Sequence, residues 1–240
     1  MEEFDLNDFY GDVNKLSEKY EKIGSGIEGD TFKINDKIVV KKFSTPREII
    51  VKKTQDELYK LGLKNVVVPF YSLTKKDKVL ATFTEYFNAK NLIKDVGEIK
   101  FDVLINGTKN ILNDIKKMSD NQIALKDITV SSIMYNDNEM KLIDTTQFYK
   151  IENKLDPSEK RRLYERNLDI LFKYSEIWYS DEWNKIIKKD DVLSSMYLSF
   201  EDYGYFYQEM KRFLEQETNE KVYSINDGIE KYNKMNKKIR

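Results

Sequence analysis

The chain has 240 residues and a nearly balanced charge, with 41 lysines and arginines against 42 aspartates and glutamates. This balance disfavours a nucleic-acid-binding protein, because such proteins usually carry a basic excess for phosphate contacts. There is no cysteine and no histidine. Their absence excludes disulfides, thiol nucleophiles, Ser-His-Asp triads and zinc sites built from histidine or cysteine.

The remaining residue types limit the chemistry that the chain can perform. A catalytic base must be a carboxylate, a lysine or a tyrosine. A metal site must use oxygen ligands, which suits magnesium, manganese or calcium. The N-terminus is acidic, and no apolar run approaches the roughly 18 residues of a membrane span. We therefore expect a cytoplasmic protein with no signal peptide, no membrane partner and no nucleic-acid partner, and a short leader over residues 1–18.

The segment IGSGIEGDTFKINDKIVVKKF, residues 23–43, contains Gly24, Gly26 and Gly29 in the spacing G-x-G-x-x-G. The alternation in DTFKI and KIVVKKF, with ND between them, predicts a β-hairpin. A dinucleotide-binding loop of this spacing leads into a helix, so the hairpin argues against that function. Glycines joining two antiparallel strands instead let the backbone approach phosphate groups closely.

The next segment, STPREIIVKKTQDELYKLGL, predicts a helix over residues 46–61. Thr45 is the expected N-cap, Pro46 the first helical residue and Glu48 the acid of a capping box. Gly62 is the expected stop. Glu57 falls in the second half of this helix.

Two further strands follow, NVVVPFYSL and KVLATFTEYF, around the turn TKKD. The periodicity is helical over residues 89–119, and SSIMYNDNEMKLID predicts a small hairpin. From Pro157 onward the pattern is helical, with Trp178 and Trp183 as core candidates. The order is a strand-rich first third with one helix, followed by a helical remainder, which predicts an α+β protein.

Two aspartates flank the small hairpin, Asp127 in LKDITVSS and Asp144 in KLIDTTQF. The segment IVVK, ending in Lys41, resembles the V-A-I-K strand of protein kinases, and Asp127 and Asp144 fall where the catalytic and magnesium-binding aspartates stand. Over residues 19–175 the chain resembles the eukaryotic-like protein kinase superfamily. Lys42 competes with Lys41 for the same role, because the two side chains point to opposite faces of a strand.

The resemblance implies a bilobal protein-kinase-like fold, with a small N-lobe of antiparallel sheet and one helix over residues 19–87 and a mainly helical C-lobe over 88–240. It also implies that Lys41 holds the α/β-phosphates of ATP and is positioned by Glu57, while Asp127 serves the substrate hydroxyl. Mg²⁺, or Mn²⁺ in its place, would be held by Asp144 and Ser132. The residues expected to bind ATP are Gly24, Ser25, Gly26, Gly29, Lys41, Thr84, Glu85, Tyr86 and Phe87.

The sequence departs from the kinase pattern at several positions. Leu125-Lys126 replaces H-R, and Ser132 stands where the second metal ligand is an asparagine. The D-F-G motif reads Asp144-Thr145-Thr146, and Thr129 stands where many kinases have a lysine that contacts the transferred phosphate. The segment between Asp144 and a helix expected to start near Asn167 is short, and no A-P-E is visible.

We therefore expect an ATP-dependent phosphotransferase acting on a hydroxyl, foremost of a protein serine or threonine, with a small molecule as the other substrate class. The alternative is a pseudokinase that binds nucleotide or a protein partner without efficient transfer. A protein with no nucleotide role is the third hypothesis.

Overall fold

A computed structural model of the chain describes residues 13–92, 97–128, 132–172, 181–197 and 203–238. Most of the predicted leader, Thr129 and Trp178 lie outside these ranges. The chain divides into two compact units. The first comprises Met1–Gly62 and Val67–Asn88, and the second comprises Leu63–Val66 and Ala89–Arg240.

The first unit is a five-stranded antiparallel sheet in the order β1-β2-β3-β5-β4. A short helix, α1 (Leu16–Lys19), precedes the sheet, and a longer one, α2 (Ile49–Lys60), follows β3. The strands are β1 (Glu21–Gly26), β2 (Gly29–Lys33), β3 (Ile38–Glu48), β4 (Tyr71–Lys75) and β5 (Lys78–Glu85).

The sequence explains how this sheet turns and what it buries. Asn35 closes the β2–β3 turn, because its side-chain carbonyl accepts the Lys37 N–H at 2.8 Å. Lys76 and Asp77 take positive φ values of 49° and 57°, as a tight two-residue hairpin turn requires. One face of the sheet builds a core cluster with the first helix, consisting of Leu16, Phe32, Val40, Leu73, Ala81 and Phe83.

The prediction that a helix begins at Pro46 with a capping box is wrong. Strand β3 continues to Glu48, because after a bulge its last two residues pair with Lys78 and Val79 of β5. Pro46 lies in the bulge, where the ladder needs no N–H donor. The Glu48 carboxylate pairs with the Lys78 ammonium and caps no helix. Likewise β4 begins only at Tyr71, later than the segment NVVVPFYSL predicts.

The second unit is mainly helical. Its helices within the described ranges are α3 (Phe101–Asp120), α4 (Pro157–Phe172), α5 (Asp181–Ile187), α6 (Asp191–Tyr197), α7 (Tyr203–Thr218) and α8 (Ile225–Lys238). The same ranges contain the short strands β6 (Lys90–Asn91), β7 (Ile123–Ala124), β8 (Ile133–Tyr135), β9 (Met140–Leu142) and β10 (Tyr149–Lys150). Strands β6, β8 and β9 form one small sheet, and β7 pairs with β10. The predicted α+β class is confirmed by these elements.

Helix α4 begins at Pro157, where the helical pattern of the sequence begins. The more specific prediction of a helix that starts near Asn167 is wrong. Asp156 caps it: its side chain accepts the N–H groups of Ser158 and Glu159 at 2.7 and 2.9 Å. These bonds, the one from Glu159 foremost, lower the pKa of Asp156. Within the described ranges, none of the helices is both long and apolar enough to cross a membrane.

Helix α3 supplies a buried acid that organises the second unit. The Asp114 carboxylate accepts the backbone N–H groups of Lys64 and Asn65 at 2.8 and 2.7 Å. Asn65 in turn donates its side-chain amide to the Met140 carbonyl at 2.6 Å. The chain around residues 64–65 is thereby held against α3 and the β8–β9 hairpin.

We expect Asp114→Ala to lower the free energy of unfolding by about 2–3 kcal/mol, because two backbone donors lose a charged acceptor. Urea unfolding followed by circular dichroism measures this. Asp120→Ala, at an exposed position of the same helix, is the control and should stay within about 0.5 kcal/mol of the wild type. Equal stability of the two variants would contradict the role given to Asp114.

Candidate functional site

The three glycines lie in a hairpin, here called the glycine hairpin: β1 and β2 are joined by Ile27 and Glu28, and Gly26 pairs with Gly29 across the turn. The predicted hairpin of DTFKI and KIVVKKF is the next one along the chain, where β2 pairs with β3. The Ser25 hydroxyl donates to the Asp30 carboxylate at 2.6 Å. This bond lowers the pKa of Asp30. The Ser25 side chain is therefore bonded within the hairpin itself.

The three glycines differ in whether the structure leaves room for a Cβ atom. A Cβ atom at Gly29 would lie 1.9 Å from the Lys42 carbonyl oxygen, so the close approach of β2 to β3 requires glycine there. A Cβ atom at Gly24 would make an ordinary contact with Thr31 at 3.6 Å, and one at Gly26 would meet nothing closer than 4.0 Å. The hairpin accounts for Gly29 but gives no steric reason for Gly24 or Gly26.

The register of β3 separates the two candidate lysines. Lys41 pairs with Thr82 of β5, and Thr82 pairs with Ser72 of β4. These three residues share one face of the sheet, and the Ser72 hydroxyl bonds the Gln55 side chain of α2 at 3.0 Å. Lys42 pairs instead with Ala81, on the face of the core cluster. Lys41 is thus the lysine on the side of the sheet that α2 covers.

Glu57 lies on α2, in its second half, and is half-buried. The register that brings Lys41 to the α2 side agrees with the expected pairing of these two residues. That pairing itself stays a prediction.

The tip of the glycine hairpin carries an acid that the sequence analysis missed. Glu28 accepts from the Lys41 ammonium at 2.7 Å through one carboxylate oxygen and from the Arg47 guanidinium at 2.7 Å through the other. Its backbone carbonyl also accepts the Ser44 N–H at 2.9 Å. An acid inside a candidate phosphate loop is the feature of the sequence that could have drawn attention to Glu28. Its contact with Arg47 could not be predicted, because the sequence pattern places Arg47 in a helix.

The expected adenine-binding residues follow the end of β5. Thr84 pairs with Val39, so it shares a face with Lys41. The Tyr86 backbone N–H donates to the Lys37 carbonyl at 2.7 Å, and the Lys33 ammonium lies 4.8 Å from the Tyr86 ring centroid. Tyr86 thus has packing and hydrogen-bonding roles of its own.

Glu85 is exposed and Phe87 is half-buried. For these two, as for Thr84, contact with adenine stays a prediction.

Asp127 lies in the loop after β7, exposed to solvent, with a positive φ of 55°. The loop is anchored by Asn167, which is fully buried. The Asn167 side-chain oxygen accepts the Leu125 N–H at 2.9 Å, and its amide donates to the Ser119 hydroxyl at 2.9 Å and the Ile123 carbonyl at 3.0 Å. A single asparagine of α4 therefore fixes the chain two residues before Asp127.

Asp144 and Ser132 are brought together by the β8–β9 hairpin. The Ile143 N–H, next to Asp144, donates to the Ser132 carbonyl at 2.7 Å. Asp144 itself has φ 65° and ψ 60°, in the left-handed region, and is exposed. The Thr146 hydroxyl donates to its carboxylate at 2.8 Å and orients it. Thr146 is one of the two threonines after Asp144 at which the sequence departs from the kinase pattern.

The donors at this hairpin suit a hard cation. A carboxylate from Asp144 and a hydroxyl from Ser132 are oxygen ligands, and Mg²⁺ commonly uses one or two carboxylates with substrate phosphates and water. In the part of the chain that the structure describes, no cluster of three or more acidic side chains forms a separate metal site.

The chain between Asp144 and α4 is short and is held by hydrogen bonds. Strand β10 pairs with β7. The Gln122 side chain donates to the Ile151 and Asn153 carbonyls, both at 2.9 Å, and accepts the Leu155 N–H at 3.1 Å. This segment is held close to the start of the Asp127 loop.

No protein-family model matches the chain, and no curated protein matches it. Among solved structures, it is similar to the Legionella pneumophila Lpg2603 kinase bound to IP6, at 15% identity and a TM-score of 0.46, over 69% of this chain and 63% of that one. It is also similar to a Caenorhabditis elegans twitchin kinase fragment, at 19% identity and a TM-score of 0.45, over 58% of this chain and 33% of that one. The chain thus spans less than two thirds of either protein.

The order of the elements now gives the fold class. A glycine hairpin, a lysine strand, one helix and two more strands form the first unit, and the helical second unit carries Asp127, a small hairpin and Asp144. This is the order of elements that the resemblance to protein kinases implies. The expected site residues fall into two groups, one in each unit.

The glycine analysis makes a stability prediction. We expect Gly29→Ala to lower the free energy of unfolding by more than about 2 kcal/mol, because its Cβ overlaps a strand carbonyl. Gly24→Ala and Gly26→Ala are the matched controls and should be neutral or more stable by up to about 1 kcal/mol. Thermal and urea unfolding of the three variants measure this. Three equal effects would contradict the distinction.

Proposed function

We propose that the chain is an ATP-dependent phosphotransferase that moves the γ-phosphate of Mg-ATP to a hydroxyl. The observation that carries the proposal is the glycine hairpin beside Lys41. Gly24 and Gly26 lack side chains that the hairpin has room for, and the ammonium next to this loop already holds an oxyanion, the Glu28 carboxylate. A phosphate site needs backbone that no side chain covers and a cation that binds oxyanions, and this hairpin offers both.

Each group of residues has a part in the proposed transfer. The hairpin backbone and Lys41 hold the phosphates, Glu57 positions Lys41, and residues 84–87 receive the adenine. Asp127 orients the substrate hydroxyl and accepts its proton. The hydroxyl oxygen forms a bond to the γ-phosphorus while the bond to the β,γ-bridging oxygen breaks, and ADP leaves.

Asp144 and Ser132 would hold the magnesium ion, which neutralises phosphate charge when bound. The Thr146 hydroxyl fixes the Asp144 carboxylate for that task. No histidine is needed, because positioning and charge neutralisation supply most of the catalysis in this chemistry.

The substrate hydroxyl belongs foremost to a protein serine or threonine, with a small molecule as the second class. The short segment after Asp144, held by Gln122, supports the second class, because little free chain is left there to dock a peptide. The second candidate function is a pseudokinase. Ser132 in place of the usual asparagine favours it, since a hydroxyl reaches less far than an amide.

Binding and transfer are tested separately. ATP with Mg²⁺ at 100 times its dissociation constant should stabilise the wild type by about 2.7 kcal/mol in a thermal-shift titration. With γ-labelled ATP and mixed protein or small-molecule hydroxyl substrates, Asp127→Asn should bind ATP but transfer about 10²–10⁴-fold less label. Asp144→Ala should lose transfer as well. Asp137→Ala, at the exposed tip of the same hairpin, is the control and should transfer like the wild type.

The outcomes separate the hypotheses. No stabilisation by any nucleotide with any divalent metal removes both the phosphotransferase and a nucleotide-binding pseudokinase. Stabilisation without transfer to any substrate favours the pseudokinase. Transfer that survives both aspartate changes contradicts the roles given to Asp127 and Asp144.

A further inference from the structure

We propose that Lys41 and Arg47 form one anion-binding pair, for which the Glu28 carboxylate and the phosphates of ATP compete. Arg47 is then a further phosphate-binding residue, and Glu28 sets the nucleotide affinity from within the glycine hairpin. The identity of the competing anion rests on the proposed function. The pair itself rests on contacts inside the first unit.

The geometry is that of two cations sharing one oxyanion. One Glu28 oxygen accepts from the Lys41 ammonium and the other from the Arg47 guanidinium, each at 2.7 Å. The side chains of Glu28 and Lys41 are each 20% exposed and that of Arg47 is 32% exposed, so water screens the cluster only in part. A carboxylate and a phosphate present similar oxygen acceptors, and a phosphate carries more of them and more charge.

Arg47 has hydrogen-bonding capacity that Glu28 does not use. Its Nε atom is buried and has no acceptor in the described part of the chain. A guanidinium offers five N–H donors in a planar fork, which suits an anion with several oxygens better than one carboxylate oxygen. The Phe43 ring lies beneath both cations, with its centroid 5.5 Å from the guanidinium carbon and 6.0 Å from the Lys41 ammonium. The ring thereby supports both side chains on one surface.

Glu28 is placed to compete because it belongs to the phosphate loop itself. It lies in the two-residue turn between Gly26 and Gly29, and its backbone carbonyl is bonded to the Ser44 N–H at 2.9 Å. An anion that takes the donors now bonded to Glu28 displaces the carboxylate, and one that binds beside it is repelled by the carboxylate charge. Neutralising Glu28 should therefore make anion binding stronger, whereas a purely structural bridge would lose only stability.

The test measures binding of inorganic tripolyphosphate and of Mg-ATP to the full chain by calorimetry. Glu28→Gln keeps the shape and removes the charge, and we expect it to bind both ligands about tenfold more tightly than the wild type. Arg47→Ala should bind both about tenfold more weakly, and Arg47→Lys should lie between the two. Glu21→Gln, an exposed change on β1 of the same hairpin, is the control and should match the wild type.

Each outcome decides the proposal. It is overturned if Glu28→Gln binds neither ligand more tightly, or if a folded Arg47→Ala binds as the wild type does. If Arg47→Ala does not fold, Glu28→Gln and Arg47→Lys decide in its place. Tighter tripolyphosphate binding by Glu28→Gln with no ATP binding by any variant supports the pair and contradicts the ATP function. Equal ATP affinity in all variants supports the ATP function and contradicts the pair.

Discussion

Strand β3 is the constraint on which the first unit depends. It pairs with β2 on one edge and β5 on the other, and it leads directly into α2. Because side chains alternate along a strand, this pairing sends Lys41 to the α2 face and Lys42 to the core-cluster face. The bulge before Arg47 then lets the strand continue, so that Arg47 meets Glu28 beside Lys41. One pairing register thus sets both cations of the proposed phosphate pair.

In the second unit, the backbone conformation of two aspartates is constrained. Asp127 and Asp144 both have positive φ, 55° and 65°. Aspartate tolerates this conformation better than most residues, but it still costs free energy and persists only where the surroundings impose it. Hydrogen bonds hold the chain next to both residues: the Asn167 side chain accepts the Leu125 N–H before Asp127, and the Thr146 hydroxyl donates to the Asp144 carboxylate.

The sequence predicted the hairpin of β2 and β3, which includes the strand of Lys41, and the small hairpin of β8 and β9, because alternation and turn residues act locally. It misplaced the start of α2, since Thr45, Pro46 and Glu48 form a valid capping pattern and only pairing with β5 overrides it. It could not predict that Asn167 anchors the Asp127 loop, because the hydrogen-bond partners of Asn167 lie more than 40 positions away in the chain. The substrate class and the activity remain proposals, because they depend on groups outside this chain.

The proposed function assigns the ATP phosphates to Lys41 and the magnesium ion to Asp144, and the metal dependence of ATP binding tests both assignments most directly. Calorimetric titration of ATP at increasing Mg²⁺ would compare the wild type with Asp144→Asn and Lys41→Met. The account predicts that Mg²⁺ strengthens ATP binding in the wild type, that Asp144→Asn loses this dependence, and that Lys41→Met binds weakly at every Mg²⁺ concentration. An unchanged Mg²⁺ dependence in Asp144→Asn, or wild-type affinity in Lys41→Met, would contradict it.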